Sequence, residues 1–188
     1  MDLSTRMNLA IIFSKQGNAP KAMDYFSEVL EIDPDNEKAH YNLGISLANQ
    51  GKIEEAFPHF SEAVRLKPDY EEAHYNLALS FLARGNTKYA VEHFSEVLRI
   101  NPKNALSYSN LGLISLQSGG FADAVRYFSK ASEINPTSAE IHNNLAISLA
   151  NTGKMNDAIQ HFKEAVRLDP GYKDAQDNLQ KALAKGTK

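Results

Sequence analysis

Apolar residues recur along the chain with two nested periods, a short one typical of helices and a long one of 34 residues. Within each 34-residue segment they stand at positions 3, 7, 8 and 11 in most copies, and again at positions 20, 24 and 27. This is the spacing of one face of an amphipathic helix. No segment sustains the alternation of apolar and polar residues that predicts a strand. The pattern therefore predicts an all-α chain with two helices in each segment.

Glycine and proline mark the ends of these helices in five consecutive copies. The glycines are Gly17, Gly51, Gly85, Gly119 and Gly153, and the prolines are Pro34, Pro68, Pro102, Pro136 and Pro170. Glycine takes the left-handed conformation that ends many helices, and proline cannot donate the next helical hydrogen bond. The markers predict repeats at 3–36, 37–70, 71–104, 105–138 and 139–172. The first helix of each covers positions 1–14 and the second covers positions 17–30.

A helical hairpin of this kind leaves one apolar face uncovered, and stacking against the next hairpin buries it. A further amphipathic segment at 173–185 has a polar outer side, which suits a helix that closes the end of a stack. The sequence thus predicts one domain over residues 1–188, built from five stacked hairpins and a C-terminal capping helix.

The repeated residues resemble the tetratricopeptide repeat. The clearest copy reads His40-Tyr41-Asn42-Leu43-Gly44, followed by Ala56, Phe60, Ala63 and Pro68. The resemblance implies an all-α, right-handed α-solenoid of five 34-residue helix-turn-helix repeats. Two residues depart from the pattern, Pro58 inside a second helix and Ser115 at a usually large apolar position. We expect local looseness at both, since proline weakens or bends a helix.

Asparagine occupies position 6 of every first helix, which is unusual because asparagine is a poor helix former. The column consists of Asn8, Asn42, Asn76, Asn110 and Asn144, with Asn178 at the same position of the capping helix. An asparagine amide offers donors and an acceptor, as does a peptide unit. The column therefore predicts a ladder that holds the backbone of an extended peptide. The alternative is that each asparagine bonds to an adjacent repeat and fixes the stacking.

The resemblance implies that the first helices line a concave groove. The groove residues it predicts beside the asparagine column are Tyr41, Tyr75, Ile45, Leu79, Leu113 and Ile147. The column is similar to the asparagine ladder in the repeat superhelix of the O-linked N-acetylglucosamine transferase. We therefore predict a protein- or peptide-binding scaffold and not an enzyme. Two alternatives remain, namely a substrate-recruiting arm of a larger enzyme such as a glycosyltransferase, and a self-assembly module.

Composition narrows the range of partners and cofactors. The chain has no cysteine, and its 20 basic and 23 acidic residues are dispersed without the basic stripe of a nucleic-acid binder. No apolar run is long enough to span a bilayer. We therefore predict no cofactor, no nucleic-acid partner and no membrane insertion, and a cytoplasmic location is favoured if the chain is complete.

The polar residues that recur outside the first-helix groove are predicted to be structural. Histidines that share a repeat position lie one repeat apart, so we expect packing and no metal site. The pairs Glu62/Arg65, Glu96/Arg99 and Glu164/Arg167 have the i, i+3 spacing of weak surface ion pairs. No nucleophile or phosphate-binding motif is present.

The first helix, unlike the last, is apolar on several sides, with Met7, Leu9, Ile11, Ile12 and Phe13. A stack that ends in such a helix has no polar cap. We expect either that the chain is the C-terminal part of a longer protein, or that this end docks to a partner or to a second copy.

Overall fold

The computed structural model describes residues 1–186 and consists, in that range, of helices and short connections without a strand. The helices in chain order are α1 (Leu3–Lys15), α2 (Ala19–Ile32), α3 (Glu37–Ala48), α4 (Ile53–Leu66), α5 (Glu71–Ala83), α6 (Thr87–Ile100), α7 (Ala105–Gln117), α8 (Phe121–Ile134), α9 (Ala139–Asn151), α10 (Met155–Leu168) and α11 (Lys173–Gly186). The predicted all-α, helix-turn-helix repeats are confirmed, and the second helices coincide with positions 17–30 of each repeat.

The turn inside each hairpin depends on a glycine with positive φ. These glycines are Gly17, Gly51, Gly85, Gly119 and Gly153, with φ between 72° and 81°. Around Gly51 the amide of Lys52 donates to the carbonyl of Leu47 at 3.0 Å, which closes the end of α3. A side chain at these glycines would strain the backbone, so the recurrence of glycine has a conformational cause.

Side chains before the first helices satisfy amides that the helix itself leaves open. Asp2, Asn36 and Asn104 each accept a hydrogen bond from the amide three residues later, at 2.7, 3.0 and 2.8 Å. Ser138 accepts from the amide of Ile141 at 3.3 Å in the same way. These N-caps fix where α1, α3, α7 and α9 begin.

The first compact unit spans Met1–Ile100 and contains three hairpins, α1–α2, α3–α4 and α5–α6. Helix α2 packs on α3, and α4 packs on α5. The phenylalanines Phe26, Phe60 and Phe94 are at most 1% exposed. At Gly44 a Cβ atom would lie 2.8 Å from the ring of Phe60, so glycine lets α3 and α4 approach closely.

The second compact unit spans Asn101–Lys188 and contains the hairpins α7–α8 and α9–α10, with α11 packed on α10. Its core includes Phe128, Leu145, Phe162 and Ala182. Helix α11 is the predicted capping helix. That the repeats of both units belong to one domain stays a prediction.

Helix α4 runs from Ile53 to Leu66 with Pro58 as its sixth residue. The proline ring is exposed, so it occupies the solvent side of the helix. Ser115 is half-buried within α7. None of the helices described is both long enough and apolar enough to cross a membrane.

Candidate functional site

The asparagine column lies on the first helices, and its side chains bond to their own helix. The Nδ2 of Asn42 donates to the carbonyl of Lys38 at 2.7 Å, and the Nδ2 of Asn76 donates to the carbonyl of Glu72 at 2.8 Å. Asn110 makes the equivalent bond to Leu106 at 2.8 Å. Each bond uses one of the two N–H groups of the side-chain amide. It holds that amide against the carbonyl of the residue four positions earlier in the same helix. The Oδ1 atoms of Asn42 and Asn76 accept no hydrogen bond from residues 1–186.

Asn76 and Asn178 of the column also contact the preceding repeat. The Nδ2 of Asn76 lies 3.5 Å from the hydroxyl of Tyr41, and the Nδ2 of Asn178 donates to the Oδ1 of Asn143 at 3.1 Å. Asn143 is only 3% exposed, and its own Nδ2 lies 3.4 Å from the hydroxyl of Tyr172. The asparagine side chains thus make contacts between neighbouring repeats as well as hydrogen bonds within their own helix.

Tyrosines stand beside the asparagines on α3 and α5. The ring of Tyr41 packs against Tyr70 at 4.9 Å and against Phe60 at 6.2 Å between centroids. Burial, and then the charge of Glu72, raise the pKa of Tyr41. Tyr75 packs edge-on against Phe94 at 5.6 Å. The Tyr41 hydroxyl is therefore neutral at physiological pH and acts as a hydrogen-bonding group.

The predicted aliphatic residues of the site occupy position 9 of their repeats. Ile45, Leu113 and Ile147 are half-buried and pack against the cores of their own units. Leu79 is more open, at 36% exposure. These side chains add partly accessible apolar surface beside the asparagines.

Three clefts open on the first-helix faces, and each is lined by a different asparagine of the column. One of about 470 Å³ in the first unit is lined by Leu3, Ser4, Met7, Asn8, Asn36, Glu37 and Lys38. One of about 420 Å³ in the second unit is lined by Asn101, Lys103, Asn104, Ala105, Leu106, Ser109, Asn110, Leu113, Asn135, Ser138, Glu140 and Ile141. One of about 170 Å³ near the C-terminal end contains Ile147 and Asn178.

The structure brings only some of the predicted residues into these clefts. Asn110 and Leu113 share one, Asn8 lines another, and Ile147 lines the third. The other predicted residues line none of these three clefts and lie on the faces of α3, α5 and α9; they are Tyr41, Asn42, Ile45, Tyr75, Asn76, Leu79 and Asn144.

Histidines form a repeated contact that the sequence analysis missed. Position 4 and position 23 of one repeat face each other, so that the Nδ1 atoms of His40 and His59 lie 3.0 Å apart. The same contact joins His74 to His93 at 2.9 Å and His142 to His161 at 3.0 Å. The signal that could have found it is that histidine occupies both positions in the same three repeats.

A proline carbonyl beside each pair determines which ring nitrogens carry hydrogen. The Nε2 of His40 lies 3.0 Å from the carbonyl of Pro34, which can only accept, so this nitrogen carries hydrogen. The Nδ1 of His40 is then an acceptor, and the Nδ1 of His59 donates to it. Burial, and then the neighbouring His40, lower the pKa of His59. Pro68 and Pro136 supply the same carbonyl in the other two hairpins.

The remaining charged groups are surface pairs. Arg65, Arg99 and Arg167 bond to the glutamate three residues earlier, which confirms the predicted i, i+3 pairs. Hydrogen bonds from these arginines lower the pKa of Glu62, Glu96 and Glu164. Among the described residues, no group of three or more histidines and carboxylates could hold a metal ion.

Comparison with solved structures finds the same fold in proteins of low sequence identity. YrrB, described as a TPR protein with an unusual peptide-binding site, is 19% identical, with a TM-score of 0.82 over 94% of this chain and 91% of that one. MamA from Desulfovibrio magneticus RS-1 is 22% identical, with a TM-score of 0.80 over 90% of this chain and 96% of that one. A tetratricopeptide repeat protein from Parabacteroides merdae ATCC 43184 is 20% identical, with a TM-score of 0.81 over 96% and 72%.

Family models cover most of the chain. The tetratricopeptide-repeat model matches residues 41–105 and 109–173, and a second TPR repeat model matches residues 12–51. No curated protein matches the chain by sequence. The repeat period, the helical hairpins with their glycine turns, and these matches agree, and the chain belongs to the tetratricopeptide-repeat family.

Proposed function

We propose that the protein is a scaffold that binds a segment of another protein on its first-helix faces. The observation that carries this proposal is the coincidence of the asparagine column with the clefts: Asn8, Asn110 and Asn178 each line one of them. An asparagine that borders open space is accessible to a ligand, whereas a fully buried one is not.

The chemistry of the faces suits a peptide backbone. An asparagine carbonyl accepts from a peptide N–H, and the second amide N–H donates to a peptide carbonyl. Asn42 has its Oδ1 open to such a donor while its Nδ2 is already fixed on Lys38. A group held in place before binding loses little conformational entropy when the ligand arrives.

Apolar side chains beside the asparagines would supply the remaining contact. Leu79 is 36% exposed and Leu106 is 62% exposed, and each lies on a first helix. Aromatic and aliphatic anchors contribute most of the affinity in many protein interfaces. The proposed ligand is therefore an extended segment with apolar side chains, bound without any chemical step.

The test is a fluorescence-polarisation screen of unstructured peptides, run on the unaltered chain and on Asn8→Ala/Asn42→Ala. These two asparagines belong to the first unit, and the side-chain amide of Asn42 bonds within its own helix. Loss of two hydrogen bonds of about 1 kcal/mol each should raise the Kd of peptides bound there about tenfold to thirtyfold.

The matched control is Asn86→Ala/Asn156→Ala, which removes two exposed asparagines outside the column. It should leave the Kd unchanged. Peptides that bind all three proteins equally would show that the column does not contact the ligand, and the absence of any binding peptide would contradict the proposal.

A second candidate function, self-assembly, has one specific observation in its favour. Position 10 is buried in α3, α5 and α9, where Ser46, Ser80 and Ser148 are at most 4% exposed. The same position in α1 holds Ile12, which is 47% exposed. An apolar side chain is thus exposed in α1 at a position that is buried in α3, α5 and α9.

A further inference from the structure

The cleft near the C-terminal end differs from the other two in shape. It lies between α9, α10 and α11 and has a volume of about 170 Å³. Its lining residues are Ile147, Ala150, Asn151, Met155, Phe162, Asn178, Lys181, Ala182 and Lys185. The volume of this cleft is less than half that of either of the other clefts. A space of this size suits a single side chain better than a length of backbone.

The floor of this cleft is the hydrophobic core itself. Phe162 and Ala182 belong to the core of the second unit and are 3% and 5% exposed. Ile147, Ala150 and Met155 are half-buried around them. A cavity of about 150 Å³ with aliphatic and aromatic walls accommodates benzene, so this one has room for a single phenylalanine or leucine side chain.

Charge distinguishes the rim of this cleft from the rims of the others. The lining of the first cleft contains both a lysine and a carboxylate, Lys38 and Glu37, and so does that of the second, with Lys103 and Glu140. Here Lys181 and Lys185 are the charged residues of the lining, and no carboxylate accompanies them.

One of these two lysines stands at a position that is apolar in the repeats. Position 9 is aliphatic in every repeat, as at Leu113 and Ile147, but the same position of α11 holds Lys181. Lys181 is exposed and forms no ion pair with residues 1–186. Asp174 and Asp177, the carboxylates of α11, do not line the cleft. Asp177 stands one helical turn before Lys181, but within the cleft lining no carboxylate opposes the charge of Lys181 and Lys185.

We propose that the cleft between α9, α10 and α11 binds a phenylalanine or leucine side chain of a partner segment whose adjacent residues are glutamate or aspartate. The apolar side chain contacts Phe162 and Ala182, and the neighbouring carboxylates lie against Lys181 and Lys185. This inference rests on the proposed peptide-binding function and adds the chemical class of ligand at one end of the site.

The test uses four synthetic peptides titrated into ¹⁵N-labelled protein and followed by amide chemical shifts. Three have blocked ends and the central sequences Glu-Phe-Glu, Gln-Phe-Gln and Glu-Ser-Glu between Gly-Ser segments, and the fourth ends in Gln-Phe with a free carboxylate. The Glu-Phe-Glu peptide should shift amides of α9 and α11 and bind about fivefold to tenfold more tightly than either of the other two blocked peptides.

Three variants, one of them a control, localise the contact. Lys181→Gln/Lys185→Gln should remove the preference for glutamate over glutamine and leave the remaining apolar binding. Lys163→Gln/Lys173→Gln changes the net charge equally at exposed sites outside the lining and should have no effect. Ala150→Leu narrows the cleft and should abolish binding of every peptide that contains phenylalanine.

The outcomes separate this inference from the proposed function. Equal binding of the glutamate and glutamine peptides would overturn the inference and leave the peptide-binding function standing. Shifts confined to helices other than α9, α10 and α11 would do the same. If only the free-carboxylate peptide binds tightly, the ligand is a chain terminus and not an acidic side chain, and the inference is wrong. The absence of binding of every peptide at this cleft would also overturn it.

Discussion

At the scale of single residues, each histidine pair accepts only a limited number of protons. One extra proton on His59 leaves its Nδ1–H donating to His40. A second proton, on His40, would place two N–H groups against each other across 3.0 Å and break the bond. Protonation of both rings at both nitrogens is therefore incompatible with this contact between the two helices of the hairpin.

The direction of the pH dependence follows from the lowered pKa values of His59, His93 and His161. The folded protein binds fewer protons than the unfolded chain below the ordinary histidine pKa of about 6.5. The free energy of unfolding should therefore be constant above that pH and fall as the pH decreases from 6.5 to 5.5. Urea unfolding at several pH values measures it.

The same chain supplies the control for this prediction. The hairpin α7–α8 has Tyr108 and Tyr127 at the two histidine positions, with ring centroids 6.5 Å apart. Replacing a pair by tyrosines, as in His142→Tyr/His161→Tyr, should make the loss of stability between pH 6.5 and 5.5 smaller. Nearby carboxylates, Glu92 and Glu96 for His93 and Asp157 and Glu164 for His161, partly oppose the lowered pKa of each histidine. An unchanged pH profile in the variant would show that the His142–His161 pair does not cause the loss of stability.

The sequence predicted the site residues only by their shared position in each repeat and not by their contacts. It identified the asparagine register, because a poor helix former recurred within helices. It did not reveal that Asn42 bonds to Lys38, nor that Asn76 reaches Tyr41, because those contacts depend on rotamers and on the distance between neighbouring hairpins. The histidine pairs escaped for a similar reason: partners 19 residues apart face each other only once the hairpin is closed.

At the scale of the helix, the boundaries were predicted nearly to the residue. Each boundary has a local chemical cause, such as the positive φ of Gly51 or the N-cap formed by Asn36. Local causes are visible in a sequence, whereas packing between distant residues is not. Helix α4 also shows that one unfavourable residue does not end a helix whose apolar face is buried, since Ala56, Phe60 and Ala63 stay at most 1% exposed around Pro58.

Pro58 should nevertheless destabilise the protein, because it removes the hydrogen bond from residue 58 to the carbonyl of Glu54. The equivalent position of α10 holds Gln160. We expect Pro58→Gln to raise the free energy of unfolding by about 2–3 kcal/mol, as measured by urea denaturation. Glu92→Pro, at the same position of α6, should lower it by a similar amount. A neutral Pro58→Gln variant would mean that α4 has already relaxed around the ring.

At the scale of the whole chain, the repeat number and fold class followed from the 34-residue period alone. The division into units after Ile100 did not, because the period continues unchanged through Ile100 and Asn101. A uniform repeat predicts that each hairpin packs on the next, but no residue in its pattern predicts a boundary between compact units.

The exposed side of α1 gives a prediction about assembly. If Ile12 docks against a second copy, sedimentation or light scattering should show a mass that rises with protein concentration. Ile12→Ser should abolish that rise, because serine is the residue found at this position in α3, α5 and α9. Ile32→Ser, which removes another exposed isoleucine at 56% exposure, serves as the control. A constant monomeric mass in the unaltered protein would exclude this route to self-assembly.

Each histidine contact closes within one helical hairpin, using two rings and the proline carbonyl just before it. The sensitivity to acid is therefore a property of one 34-residue segment and not of the chain as a whole. Arrays assembled with none, one, two or three such segments would form a graded series of acid sensitivities, in which a designer sets the response by counting hairpins.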